Sequence, residues 1–170
     1  MHQCFPACAL PDARVLVLGT LPGKLSLQTQ QYYAQPRNVF WKIMGELVNA
    51  RPELPYQTRI QRLQESGIAL WDVYAAASRE GSLDSNIETT GSLLNDFVTF
   101  LKSYPDIRMI CFNGQSAAKA FKRGVKMPAH LRELPLWTLP STSPAHAAMP
   151  FSEKLKAWRT AMNEAGAALR

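Results

Sequence analysis

Four short apolar runs constrain the fold of this chain most: residues 14–18, 68–73, 108–112 and 134–139. Each is too short for a helix of ordinary length, and each is bounded by glycine, proline or polar residues, so each reads as a strand. Helical spacing fills the intervals. Phe40, Ile43, Met44, Leu47 and Val48 share one face of a helix that starts after Pro36 and Asn38. A short helix over 58–66 ends at Gly67. Ser92 is placed to cap a helix carrying Leu93, Leu94, Phe97, Val98 and Leu101, which Pro105-Asp106 stops. Asn113-Gly114 turns the chain into a helix through Phe121, and a last helix sets Leu155, Trp158, Met162, Ala165 and Leu169 three and four apart.

Strands alternating with helices predict a parallel sheet covered on both faces. The expected fold class is α/β: a three-layer sandwich around a central four-stranded parallel sheet, in a single domain spanning 1–170. Pro135 predicts that the fourth strand lies near an edge. The polar segment 78–91 is expected to be a surface loop.

That topology has a chemical consequence. The unusual segments are 19–38, 72–91, 113–114 and 140–146, and each follows a strand. In a parallel sheet they all emerge at the carboxyl edge, where open α/β folds place their sites. The first of them packs Gly, Pro, amide, hydroxyl and aromatic residues into about twenty positions, a length that is often functional.

Several site classes are excluded. Gly19 to Lys24 lacks the spacing of a phosphate loop or a dinucleotide fingerprint, and no Gly-x-Ser-x-Gly elbow is present. His2, His130 and His146 are too scattered for a metal triad. Cys4 and Cys8 have no second pair to complete a four-ligand site, so with Cys111 they are expected to be free thiols; no metal or cofactor is expected. No apolar run approaches the ~18 residues of a membrane span. The N-terminus lacks the layout of a secretory signal, and a cytoplasmic protein is expected. The net charge of +6 is spread along the chain and is compatible with a polyanionic partner. What gathers at the sheet edge is amide, hydroxyl, aromatic and backbone donors with one carboxylate, Asp72. Such a set suits orienting a water and reading a planar heterocycle stacked on Tyr33 or Phe40.

The residues then carry a specific resemblance. Pro22-Gly23 followed by Tyr33-Ala34-Gln35-Pro36-Arg37-Asn38-Val39-Phe40-Trp41-Lys42 resembles the first motif and following helix of the mismatch-specific branch of the uracil-DNA glycosylase superfamily. Leu139 to Ala147 resembles that superfamily's second motif, the loop that enters the duplex. The fuller pattern is Gly19-Thr20-Leu21-Pro22-Gly23, Gln31-Tyr32-Tyr33-Ala34, Leu70-Trp71-Asp72-Val73, Gly81-Ser82-Leu83-Asp84-Ser85-Asn86-Ile87 and Phe112-Asn113-Gly114. It is most similar to the hypoxanthine-DNA (deoxyinosine) glycosylase branch.

The resemblance implies a monofunctional glycosylase of base excision repair that removes deaminated bases from DNA, hypoxanthine first and uracil as a second candidate, acting as a monomer. Most of the superfamily carries Asp or Asn where this chain has Leu21, and leucine cannot aim a water. The hypoxanthine branch assigns that role to a later asparagine, matched here by Asn38, with Asp72 in reserve. Gly19, Thr20, Leu21, Pro22, Gly23, Tyr33, Phe40 and Asn113 are the candidate base-binding residues. Ser26, Ser141, Thr142, Ser143, Pro144, Ala145 and His146 are the candidate DNA contacts. Structural readings stand beside these: Asn38 as a helix cap, Phe40 as core, Asp72 and Asn113 as turn residues, and 84–86 as stabilisers of their own loop. Leu21 also leaves room for a catalytically inactive lesion-DNA-binding protein, and a hydrolase of free nucleosides is a third reading.

Overall fold

A computed structural model describes residues 1–170. In chain order it contains β1 (His2–Gln3), β2 (Val15–Gly19), α1 (Lys24–Thr29), α2 (Phe40–Val48), α3 (Tyr56–Glu65), β3 (Ile68–Asp72), β4 (Tyr74–Arg79), β5 (Ile87–Leu94), α4 (Phe97–Ser103), β6 (Met109–Asn113), α5 (Gln115–Gly124), β7 (Leu136–Leu139) and α6 (Phe151–Ala165). The main sheet has the order β3-β2-β6-β7, and every pairing in it is parallel.

β2 shows why this sheet forms. Val15 and Val17 face one layer, Leu16 and Leu18 the other, and all four are fully buried. On the first side α2, α3 and α6 supply Phe40, Met44, Leu47, Leu63, Trp158 and Met162. On the second, α4 and α5 supply Phe97, Leu101, Ala117 and Phe121, which pack with Phe112 of β6. Burying a side chain of this size contributes about 1.5–3 kcal/mol. The three-layer architecture expected from the alternation is therefore the one observed. β7 is an edge strand, as expected, and Pro135 stands just before it, its carbonyl accepting from the Ile110 amide at 3.0 Å.

Four local expectations need correction. The segment 78–91 is a surface loop only over 80–86. β4 follows β3 after a single residue and pairs antiparallel with both β1 and β5, making a second, three-stranded sheet. β5 is polar and mostly exposed, so it carries no apolar alternation to announce it. Ser92, Leu93 and Leu94 belong to β5, and α4 starts at Phe97 behind an Asp96 cap that accepts from the Thr99 amide at 3.0 Å. The stretch 19–38 is interrupted by α1, and α6 stops at Gly166, before Leu169.

Candidate active site

Strand register brings the site residues level with one another. Gly19 of β2 pairs with Asp72 of β3, and Leu18 with Phe112, the residue before Asn113; Asn113 in turn pairs with Leu139 of β7. Beyond these ends opens a cleft of about 680 Å³. All four segments expected at the carboxyl edge line it: Gly19 to Ser26 with Tyr33 and Asn38, Asp72 with residues 82–85, Asn113, and 141–146.

The 19–23 turn is fastened from several directions. The Gly19 and Thr20 carbonyls accept from the amides of Val73 and Tyr74 at 2.8 and 3.1 Å. The Thr20 hydroxyl donates to Asp84 Oδ1 at 2.8 Å. The guanidinium of Arg79, its side chain only 2% exposed, bridges Asp84 Oδ1 at 3.2 Å and the Pro22 carbonyl. Lys24 N donates to Ser82 Oγ at 3.2 Å. The N–H groups of Leu21 and Gly23 are left uncommitted to the rest of the chain. Burial raises the pKa of Asp84, while the Thr20 hydroxyl and Arg79 oppose that rise. Arg79, Ser82 and Asp84 are thus residues of the site frame, not of their own loop alone. Arg79 follows a plain alanine run, so nothing local marked it; Asp84 lay within a recognisable motif, but its reach to Thr20 was not legible there.

Tyr33 is a cleft wall. Its backbone is left-handed, with φ of 54°, and its ring stacks on Phe40 with centroids 4.1 Å apart. Phe40 itself has no exposure and lies behind Tyr33, edge-on to Trp41 and Trp158. It does not line the cleft, and its candidacy as a base contact is corrected to core support.

Asn38 does line it. Its Oδ1 accepts from the Phe40 amide at 3.0 Å, an Asx turn that leads into α2, while its Nδ2 is uncommitted. Val39, not Asn38, is the N-cap of α2, so the capping reading of Asn38 is corrected to an Asx turn one residue before the cap. Val39 N donates to the Thr142 carbonyl at 3.0 Å, tying the start of α2 to the late loop.

Asp72 is 4% exposed and its Oδ2 has no partner. Burial, reinforced by Asp84 and opposed by Arg79, pushes its pKa up to about 7. Leu21 is buried beneath the cleft within the second core layer, so no polar side chain occupies that position.

The late loop is held by Asn113. Its Nδ2 donates to Thr142 Oγ1 and its Oδ1 accepts from Thr142 N, both at 2.9 Å, leaving one N–H and one lone pair free. Gly114 has φ of 94° and no room for a side chain: a Cβ there would stand 3.0 Å from that of Ser141. Ser141 Oγ and Ser143 Oγ accept from the amides of Ser143 and Ala145, and Lys154 Nζ donates to the His146 carbonyl. Thr142 is 1% exposed and Ser26, 5% exposed, accepts from Ala34 N at 3.1 Å. Both are internal supports, which corrects their candidacy as DNA contacts. Ala145 and His146 are exposed at the rim, with Ser141, Ser143 and Pro144 half-buried beside them.

No three His, Cys, Asp or Glu side chains cluster closely enough to hold a metal ion, and no helix is long and apolar enough to cross a membrane.

The uracil DNA glycosylase superfamily model matches residues 5–165. The chain is 39% identical over 116 residues to a hypoxanthine DNA glycosylase of Methanosarcina acetivorans, covering 68% of this chain and 72% of that one. It is 33% identical over 118 residues to a hypoxanthine DNA glycosylase of Methanosarcina barkeri, covering 69% and 73%. A solution NMR structure of a candidate uracil DNA glycosylase from Methanosarcina acetivorans superposes with a TM-score of 0.76 at 33% identity, over 96% of this chain and 97% of that one. Sequence and fold agree: the chain belongs to the uracil DNA glycosylase superfamily and is a DNA glycosylase.

Proposed function

We propose that this enzyme hydrolyses the N-glycosidic bond of hypoxanthine in DNA, with uracil as a second substrate, as a monofunctional step of base excision repair. The observation that carries the reading is the position of Asn38: its amide lines the same cleft as Tyr33, Asp72 and the 19–23 turn, where Leu21 offers nothing polar. The similarity to two hypoxanthine DNA glycosylases supports the choice of base.

The target base leaves the stack and enters the cleft against Tyr33, at a cost of a few kcal/mol that is smallest for a mismatched base. Asn38 Oδ1 keeps a second lone pair beside its bond to Phe40 N, and Nδ2 remains free, so the amide aims a water at the sugar. Positive charge grows on the sugar, where the DNA phosphates favour it; negative charge grows on the base, where the N–H groups of Leu21 and Gly23 favour it. Ser141 and Ser143 face phosphates at the rim, while Pro144, Ala145 and His146 fill the space the flipped nucleotide leaves.

Duplexes carrying deoxyinosine or deoxyuridine opposite each base, incubated with the protein and cleaved with alkali, test the reading. Strand breaks at deoxyinosine are expected; intact strands throughout, with salt-sensitive binding to the lesion duplexes, select a silent lesion binder instead. Asn38→Ala should slow release about 100-fold with little loss of DNA affinity.

A further inference from the structure

Two shielded polar atoms on the cleft floor have no hydrogen-bond partner: Asp72 Oδ2 and the Tyr33 hydroxyl. Asn113 approaches that hydroxyl without completing a bond. Buried polar groups are nearly always paired, so two orphans on one floor point to a ligand they are placed to meet. The two side chains also belong together. A Cβ on Gly19 would lie 2.7 Å from Asp72 Oδ1 and 3.1 Å from the Tyr33 hydroxyl, so both close over the bare Cα of that glycine.

The surroundings of Asp72 keep its proton on. Asp84 repels its charge from one side; Arg79 of β4 attracts it, but is shared with Asp84 and the Pro22 carbonyl. Cys4 and Cys8 of the N-terminal segment, and Tyr32 and Tyr33, also face it. Burial raises the pKa of all four, so at neutral pH they add no charge. Burial of Asp72 outweighs the pull of Arg79, and its carboxyl is neutral up to about pH 7.

We propose that Asp72 is the general acid for a departing purine, delivering its carboxyl proton to a ring nitrogen of the flipped base while the Tyr33 hydroxyl holds that base in place. This rests on the glycosylase reading above. The C1′–N9 bond breaks with its electron pair going to N9. The Asp72 O–H bond breaks, its proton moves to N7 or N3, and hypoxanthine leaves neutral. Water adds its oxygen to C1′, and the proton it loses restores the carboxyl. Uracil offers no such acceptor: N1 carries the sugar and N3 carries a hydrogen. The acid therefore favours purines, a selectivity that Leu21 and Asn38 do not provide.

Single-turnover base release between pH 5.5 and 9 tests this with the wild type and Asp72→Asn. For deoxyinosine, the wild-type rate should be level below pH 7 and fall about tenfold per pH unit above it. Asp72→Asn should be flat, and about 30-fold slower at pH 6. Wild-type release that is level across the range, a falling limb that survives in Asp72→Asn, or the same limb with deoxyuridine overturns the proposal. A carboxyl-¹³C NMR titration of the wild type decides the matter even where the variant does not fold: one aspartate titrating near 7 supports it, none refutes it. No release from deoxyinosine at any pH overturns the glycosylase reading and this proposal with it, whereas release without the limb overturns only the role of Asp72.

Discussion

Replacing Asp72 by asparagine removes one titration from the folded protein and should change how stability varies with pH. The carboxyl is raised from an ordinary 3.8 to about 7 by burial, with Asp84 adding to the rise and Arg79 opposing it. Between those values the folded chain holds a proton that the unfolded chain releases, so this group's contribution to stability is full below 3.8 and is lost as pH rises through about 7. A shift of that size corresponds to about 4 kcal/mol, of which about 3 kcal/mol disappears between pH 5 and pH 8. Asparagine keeps the shape and does not titrate. Asp84 is present in both proteins, and its repulsion of Asp72 is part of the shift being measured. Urea denaturation of wild type and Asp72→Asn at pH 5 and pH 8 measures the effect: the stability gap between them should shift by about 3 kcal/mol in the variant's favour, equivalent to about 1.5 M in relative midpoint. A gap that is the same at both pH values refutes the idea that Asp72 is buried with its proton.

Arg79→Ala removes the donor to Asp84 and to the Pro22 carbonyl; Asp84 is partly exposed and keeps its bond from Thr20, so a loss of about 1.5–3 kcal/mol is expected in thermal or urea unfolding, together with weaker base release as the 19–23 turn loosens. Thr142→Val strands the Asn113 amide N–H; stability should fall by about 1–3 kcal/mol, and hydrogen exchange at the 141–146 amides should quicken. Gly19→Ala sets a methyl 2.7 Å from Asp72 Oδ1, and overpacking of about 1–3 kcal/mol should accompany a loss of deoxyinosine cleavage larger than that stability change explains. Conversely, normal activity in Gly19→Ala would show that Asp72 and Tyr33 have room to move aside.

Local pattern carried the main sheet and the place of its site. β2 is apolar at every position because both its faces are covered, and a strand of that kind is recognisable from its own residues. Once the strands were read as parallel, the segments after them had to share an edge, whatever their separation along the chain. Neighbouring residues also announced α2 and the Asn38 turn. The small antiparallel sheet was not legible, because β5 is polar and mostly exposed, and β4, its partner, takes its other neighbour, β1, from the N-terminal end of the chain. Helical phase already set Phe40 on the core side and left Tyr33 to the loop, and the packing of Phe40 against Trp158 agrees with it.

The tertiary structure alone decided the electrostatics. Thr20 meets Asp84 across 64 positions of chain, and Arg79 reaches Pro22 across 57. Asp72 looks like any strand-end aspartate in the sequence; its proton affinity comes from what surrounds it once β2 and β4 are in place. Hydrophobic periodicity is written in adjacent side chains, but the charge state of a carboxyl depends on the water and ions that distant segments exclude or bring near.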